Sequence, residues 1–264
     1  MDARSPTDHE TSSAHPHCQR PFQFTLKQLL LWIVAISVLL AICIPLFRKA
    51  RRDGERMQCG SNLKQIAIAL HTYHDAWKSF PPVVTTDASG KPMHSWRVLI
   101  GPQLEKNLWF DQYDMNEPWN GPINRKLAGY GAPCWRCPSD RRTGREMTNY
   151  VAIYGPGTPW DVNKGTRLAD FKDGTSHTIL VVEIRDSDIH WMEPRDIHID
   201  DLKLTLNAQD GPSIGSYHIE GAMFAKADGS VHLLSPDEFG EHLRGMLTIA
   251  GGEHVRDPPA RDSP

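Results

Sequence analysis

Cys134 and Cys137, in the run Cys-Trp-Arg-Cys, carry the most explicit chemistry in the sequence. Their spacing suits a redox dithiol or half of a tetrahedral zinc site. A full zinc site needs two more ligands, and neither a second CxxC nor an HxxxH stands nearby. Cys59 and scattered histidines offer suitable donor atoms, but no spacing ties them to the pair. His218 and Asp228 invite a catalytic dyad, yet no G-x-S-x-G nucleophile motif and no phosphate-binding glycine loop accompanies them. Asp228-Gly229 reads instead as a turn, and His218, ahead of a strand, as a residue that hydrogen-bonds across a sheet. Glu183 ends an apolar strand and reads as a structural carboxylate rather than a general base. Asp200 and Asp201 are adjacent and diverge on most backbones. In the N-terminal tail, His9, His15, His17 and Cys18 could hold a metal loosely, but the composition reads as a solvated tail. No catalytic, cofactor-binding or metal residue is assigned and no cofactor is expected.

The elements that would position these groups hang on one long helix expected over residues 24–77. Residues 29–47, LLLWIVAISVLLAICIPLF, contain no charge and match the ~20 residues that cross a bilayer as helix. Pro-Leu-Phe-Arg-Lys follows, not the small-residue cleavage site of a secretory signal, so the segment reads as a retained anchor. Beyond it Cys59, Leu63, Ile66, Leu70, Tyr73 and Trp77 recur at spacings of four and three, one apolar stripe on a helix. Gly54 permits a bend between the two halves, and Pro81-Pro82 is expected to end the element.

Five stretches follow: a polar tail, 1–23; a transmembrane helix, 24–47; an amphipathic stalk, 48–80; an α+β head, 81–255; and a second polar tail, 256–264. The expected helices of the head cover 95–110 and 236–249. Strands are expected at 148–154 and 178–184, and a hairpin at 222–234 turning on Asp228-Gly229 in type I′ geometry. Trp109, Phe110, Tyr113, Trp119, Tyr130 and Trp135 could stack on sugars, but their burial potential makes them core. The net charge of −3 over 264 residues gives no general reason to bind nucleic acid. Arg48, Lys49, Arg51, Arg52 and Arg56 flank the span and suit anionic headgroups; against Arg4, Arg20 and Lys27 on the other side, they favour a cytoplasmic head.

Phe24-Thr25-Leu26 before the apolar run, with Pro45 twenty-one residues after Phe24, resembles the N-terminal segment of type IV pilins and pseudopilins. The motifs after it resemble a large planctomycete family of pilin-like proteins of unknown function. They include Met57-Gln58-Cys59, Asn62-Leu63-Lys64-Gln65-Ile66, Phe80-Pro81-Pro82, Ser95-Trp96-Arg97 and Cys137-Pro138-Ser139-Asp140. Thr148-Asn149-Tyr150, Asp173-Gly174-Thr175-Ser176 and Glu183 belong to the same series. His218, nine residues, then Asp228-Gly229 is similar to the spacing of that family's prepilin-type processing-associated C-terminal domain.

The resemblance implies a pilin-like α+β fold, with a helix half in the membrane and half packed on an antiparallel sheet. It implies a single-pass protein of the inner membrane with an extracytoplasmic head, opposite to the charge count. Its partners would be the lipid bilayer and other pilin-like subunits or envelope components, in a structural or assembly-associated role. The resemblance implies no enzyme activity. Gln23 stands where prepilin peptidase requires glycine, and Gln28 where the mature helix carries glutamate, so an uncut, permanently anchored protein is expected. Only Cys59 and Cys137 fall on matched family positions, which makes them the candidate disulfide, a link worth ~4 kcal/mol in the chain-entropy model; Cys134 with Cys137 stays open. Two alternatives remain. One is an extracytoplasmic binding module for carbohydrate or peptide; the other is a metal or thiol-redox protein built on Cys134 and Cys137.

Overall fold

The computed structural model describes residues 25–104, 109–141, 144, 146–238 and 240–251. Gln23, Phe24 and both polar tails lie outside the described residues. The first helix, α1, runs from Leu26 to Trp77 and passes Pro45 and Gly54 without a break. Thr25 and Gln28 open it with a capping box: the Gln28 backbone N–H donates to Thr25 Oγ1 at 3.4 Å, and the Thr25 N–H donates to Gln28 Oε1 at 3.0 Å. Gln28 thus holds the helix start. The early part of α1 has the length and hydropathy of a membrane span and none of its apolar window is buried, consistent with a membrane-associated chain.

The chain divides into two compact units after Arg48. In the second, α1 buries Cys59, Asn62, Leu63, Ile66 and Leu70, so the apolar stripe packs as its spacing predicts. It runs out early: Tyr73 is half-buried and Trp77 is exposed. The helix also stops before the proline pair. Lys78 takes a left-handed φ of 61°, and its N–H closes on the His74 carbonyl at 2.7 Å.

The head then forms β1 (Val84–Thr86), β2 (Pro92–Ser95) and α2 (Trp96–Leu99). Ser95 caps α2, its Oγ accepting from the Val98 N–H. The helix expected over 95–110 ends here, because Pro102 has no N–H to continue the ladder and restricts Gly101 before it; a 3-10 turn, Gly101–Gln103, follows. The strand expected at 148–154 divides into β3 (Tyr150–Val151) and β4 (Ile153–Tyr154). The Ala152 N–H between them donates to Asp196 Oδ1 at 2.7 Å. β3 therefore pairs antiparallel with β5 (Ile179–Glu183), whereas β4 pairs parallel with β6 (Ile197–His198).

The main sheet completes with β7 (Ala222–Lys226) and β8 (Val231–Leu234) in the order β3-β5-β7-β8, antiparallel throughout. The hairpin has the expected strands but a different turn. Gly229 N–H bonds the Lys226 carbonyl at 3.0 Å, and only Gly229, at φ 80°, is left-handed. Asp228 is not, as type I′ would require; its carboxylate instead accepts from the Ser230 N–H and hydroxyl. The expected last helix is also shorter: a 3-10 turn, Pro236–Glu238, and α3, Glu241–Met246, are separated by Gly240 at φ 108°.

Two apolar cores lie on the two faces of this sheet. Tyr150, Val181 and Ala225 join the buried residues of α1, while Val151, Val182 and Phe224 join Leu243, Met246 and Leu247. Five tryptophans are core: Trp96, Trp109, Trp135, Trp160 and Trp191 are almost fully buried, and Trp96 meets Trp135 edge-on at 5.8 Å; of the aromatic series expected in the core, Trp119 is half-buried and Tyr130 is exposed. Beside them Arg97 is fully buried and pairs with Asp196 at 2.8 Å, and also donates to the carbonyls of Trp191, Glu193 and Arg195. Gly60 lets β7 approach α1, since a side chain there would press on Met223.

Candidate metal centre

Four ionisable side chains converge between α1 and the sheet. Cys59 comes from the buried stripe of α1, Cys137 from the loop after a 3-10 turn at Pro133–Trp135, Glu183 from the end of β5, and His218 from the segment before β7. One donor atom from each lies within 4.8 Å of all the others, and all four residues are buried. Cys137 Sγ stands 3.4 Å from His218 Nε2, and Glu183 Oε1 stands 4.0 Å from the same nitrogen.

Local sequence sets each arm. Glu183 sits directly opposite Tyr150 in the β3–β5 register and two residues after Val181, so strand alternation turns it towards α1. There its carboxylate accepts from Ser216 Oγ at 2.9 Å and from the Met223 N–H at 3.0 Å. Ser216 Oγ also accepts from the His218 N–H at 3.1 Å, which fixes the histidine relative to the carboxylate. Asn207 grips the Ser216 backbone at both its N–H and its carbonyl. On the other side, Asn149 Oδ1 accepts from the Cys137 N–H at 3.0 Å, while its amide donates to Asp140 and to the Ile184 carbonyl. Asn62, one turn along α1 from Cys59, donates to the Arg136 carbonyl at 2.7 Å and pins this loop to the helix. Tyr150 Oη donates to Cys59 Sγ at 3.1 Å.

The electrostatics are those of too many acids for one base. Burial pushes the Glu183 carboxyl well above its ordinary range and pushes the Cys59 thiol up. The hydrogen bond from Cys59, with His218 acting in the same direction, pulls the Cys137 thiol down. Without a cation the group keeps protons among its three acids; a divalent cation can take their place.

Sulfur, sulfur, imidazole nitrogen and carboxylate oxygen form a donor set for zinc, whose bonds of about 2.0–2.3 Å put neighbouring ligand atoms roughly 3.3–3.8 Å apart in a tetrahedron. The 3.4 and 4.0 Å separations fall in or beside that range. A Cys-His-Glu relay fits less well. A relay needs the carboxylate on the far ring nitrogen, whereas Cys137 and Glu183 both address Nε2, as donors around a common point do.

The protein-family model for a protein of unknown function, DUF1559, matches residues 48–202, more than half of the chain. The chain belongs to the DUF1559 family. No curated protein and no solved structure matches it. The matched region of this DUF1559 chain holds Cys59, Cys137 and Glu183 and ends before His218.

The fold brings Glu183 and His218, each read singly in the sequence, to the pair Cys59 and Cys137. Cys59 and Cys137, the first candidate disulfide, lie side by side as free thiols. Cys134 stands apart from the group: it is buried, and burial pushes its thiol up to about 12. Asp228 belongs to its turn and takes no part in the centre. Tyr150 was visible only as part of a motif, and Ser216 and Asn207 carried no signal at all, because their roles come from the segment that delivers His218.

Proposed function

We propose that this membrane-associated DUF1559 protein binds one zinc ion through Cys59, Cys137, Glu183 and His218, and that the ion is structural. The convergence of four zinc-type donors within 4.8 Å carries this reading. Four buried protein ligands fill a tetrahedral zinc site and leave no open position for water or substrate, which supports a structural rather than a catalytic ion. The ion ties α1 to β5, to the loop at Cys137 and to the segment before β7. Cobalt titration of the reduced protein tests this: sulfur-to-cobalt charge-transfer bands with tetrahedral visible bands support it. Cobalt bound with neither band overturns it.

A pilin-like structural role in the envelope is the second reading. The observation favouring it is the single helix α1, membrane-like at its start and packed on an antiparallel sheet from Cys59 onward. On that reading the protein stays uncut in the inner membrane, faces its head outward and meets other pilin-like subunits or envelope components. A reporter fused after residue 264 that is active only in the cytoplasm would remove the outward orientation.

A further inference from the structure

Two clefts reach the buried centre. One, of about 560 Å³, has Gln58, Asn62, Arg136 and Cys137 in its wall. The other, of about 300 Å³, has Ser139, Arg141, Tyr217 and His218 in its wall. Cys59 lines neither cleft and is fully buried. Of the two thiol residues, only Cys137, itself 1 % exposed, belongs to a cleft wall, so the larger cleft is the approach to Cys137 and not to Cys59. The two sulfurs are within 4.8 Å, so a displacement of at most about 3 Å brings them to disulfide length. Cys134, three residues from Cys137, is outside this arrangement.

We propose that Cys137 is a site of thiol–disulfide exchange with small-molecule disulfides, that Cys59 resolves the product, and that the resulting bond expels the metal. The gate rests on the zinc reading of the same centre. Cys137 sulfur attacks one sulfur of the small disulfide, whose S–S bond breaks and releases one thiolate, which takes up a proton. Cys59 sulfur then attacks Cys137 Sγ in the mixed disulfide and releases the second thiolate. Two protein thiolates are oxidised and one small disulfide is reduced to two thiols. Both sulfur ligands are consumed, leaving Glu183 and His218 as a two-donor site, and the cation departs. Reduction by a small thiol reverses the sequence and restores the four ligands.

The test uses the full chain in detergent, reduced, loaded with zinc and then exposed to oxidised glutathione. Zinc release is read with a chromogenic indicator, and the bonds formed are read by peptide mass mapping. The expected result is one zinc released for each Cys59–Cys137 disulfide, unchanged in Cys134→Ser and reversed by reduced glutathione with added zinc. In the zinc-free Cys59→Ser chain, a single glutathione adduct should persist on Cys137. Zinc retained while Cys59 and Cys137 become linked overturns the gate alone, as does a Cys134–Cys137 bond or complete resistance to the oxidant. A reduced chain that takes up no zinc at the loading step overturns the zinc reading, and the gate with it.

Discussion

Cys137 Sγ lies 3.4 Å from His218 Nε2, although 81 residues separate the two in the chain. Each residue is held by its own support, and the fold brings the two supports together. Asn149 holds the Cys137 backbone, Ser216 holds the His218 backbone, and the β3–β5 ladder places Glu183 between the two supports. The centre is thus a product of tertiary structure, and perturbations of that structure should be readable at the metal.

Tyr150→Phe removes one atom from the outer support of the centre. The hydroxyl donates to Cys59 Sγ at 3.1 Å, so its loss should weaken zinc binding by ~10–100-fold while the circular dichroism spectrum stays the same. Competition against a chromophoric chelator measures this. An unchanged affinity would show that Tyr150 serves only the core.

Asp196→Ala leaves the Arg97 guanidinium buried without its counter-charge. Both side chains are fully buried, and Asp196 also accepts from Trp96 Nε1 and the Ala152 N–H. Loss of ~3–5 kcal/mol is expected, a large share of a domain's stability. Urea unfolding followed by tryptophan fluorescence should show the midpoint falling sharply.

Much of the framework was legible in sequence, because its signals are local. The stripe from Cys59 to Leu70 packs as its period demands, and the apolar run at 178–184 becomes β5. Breaks set by single residues were harder: Pro102 stops α2 early, Gly240 divides the last helix, and Asp196 splits one strand into two. The centre was legible only in pieces. CxxC is a short-range pattern that ties Cys137 to Cys134, and only the family resemblance ties it to Cys59, whereas nothing in the sequence ties either thiol to residues 183 and 218. Glu183 and His218 looked structural when read alone, since nothing in a strand end or a pre-strand loop says which groups face one another.

Gly221→Ala should unfold the hairpin that follows His218. Gly221 has φ 144°, and a Cβ there would run into the carbonyl oxygen of Leu234. The backbone conformation alone costs a side-chain-bearing residue ~1–3 kcal/mol. A lowered melting temperature together with weaker zinc binding is expected; a neutral substitution would mean the β7–β8 edge can shift.

Acid should destabilise the head through buried His94 and half-buried His74 and His190. His94 bonds Tyr113 Oη at 2.9 Å and the Met115 carbonyl at 3.0 Å, and burial lowers its pKa, with Asp114 opposing. Burial acts the same way on His74 and His190. The unfolded chain then binds more protons than the fold below the ordinary histidine value of about 6.5, so stability present above that pH declines as pH falls through it. Urea midpoints across this window should show the decline, and His94→Gln should flatten it in part. A midpoint independent of pH would contradict the neutral assignment.

The most direct measurement is the metal content of the reduced, full-length protein, determined by elemental analysis and native mass spectrometry alongside single substitutions of Cys59, Cys137 and His218. One zinc per chain is expected in the wild type and in Cys134→Ser, with little or none in Cys59→Ser, Cys137→Ser or His218→Ala. Zinc absent from the wild type after incubation with the ion, or retained equally by all three ligand variants, would contradict a centre built from Cys59, Cys137, Glu183 and His218.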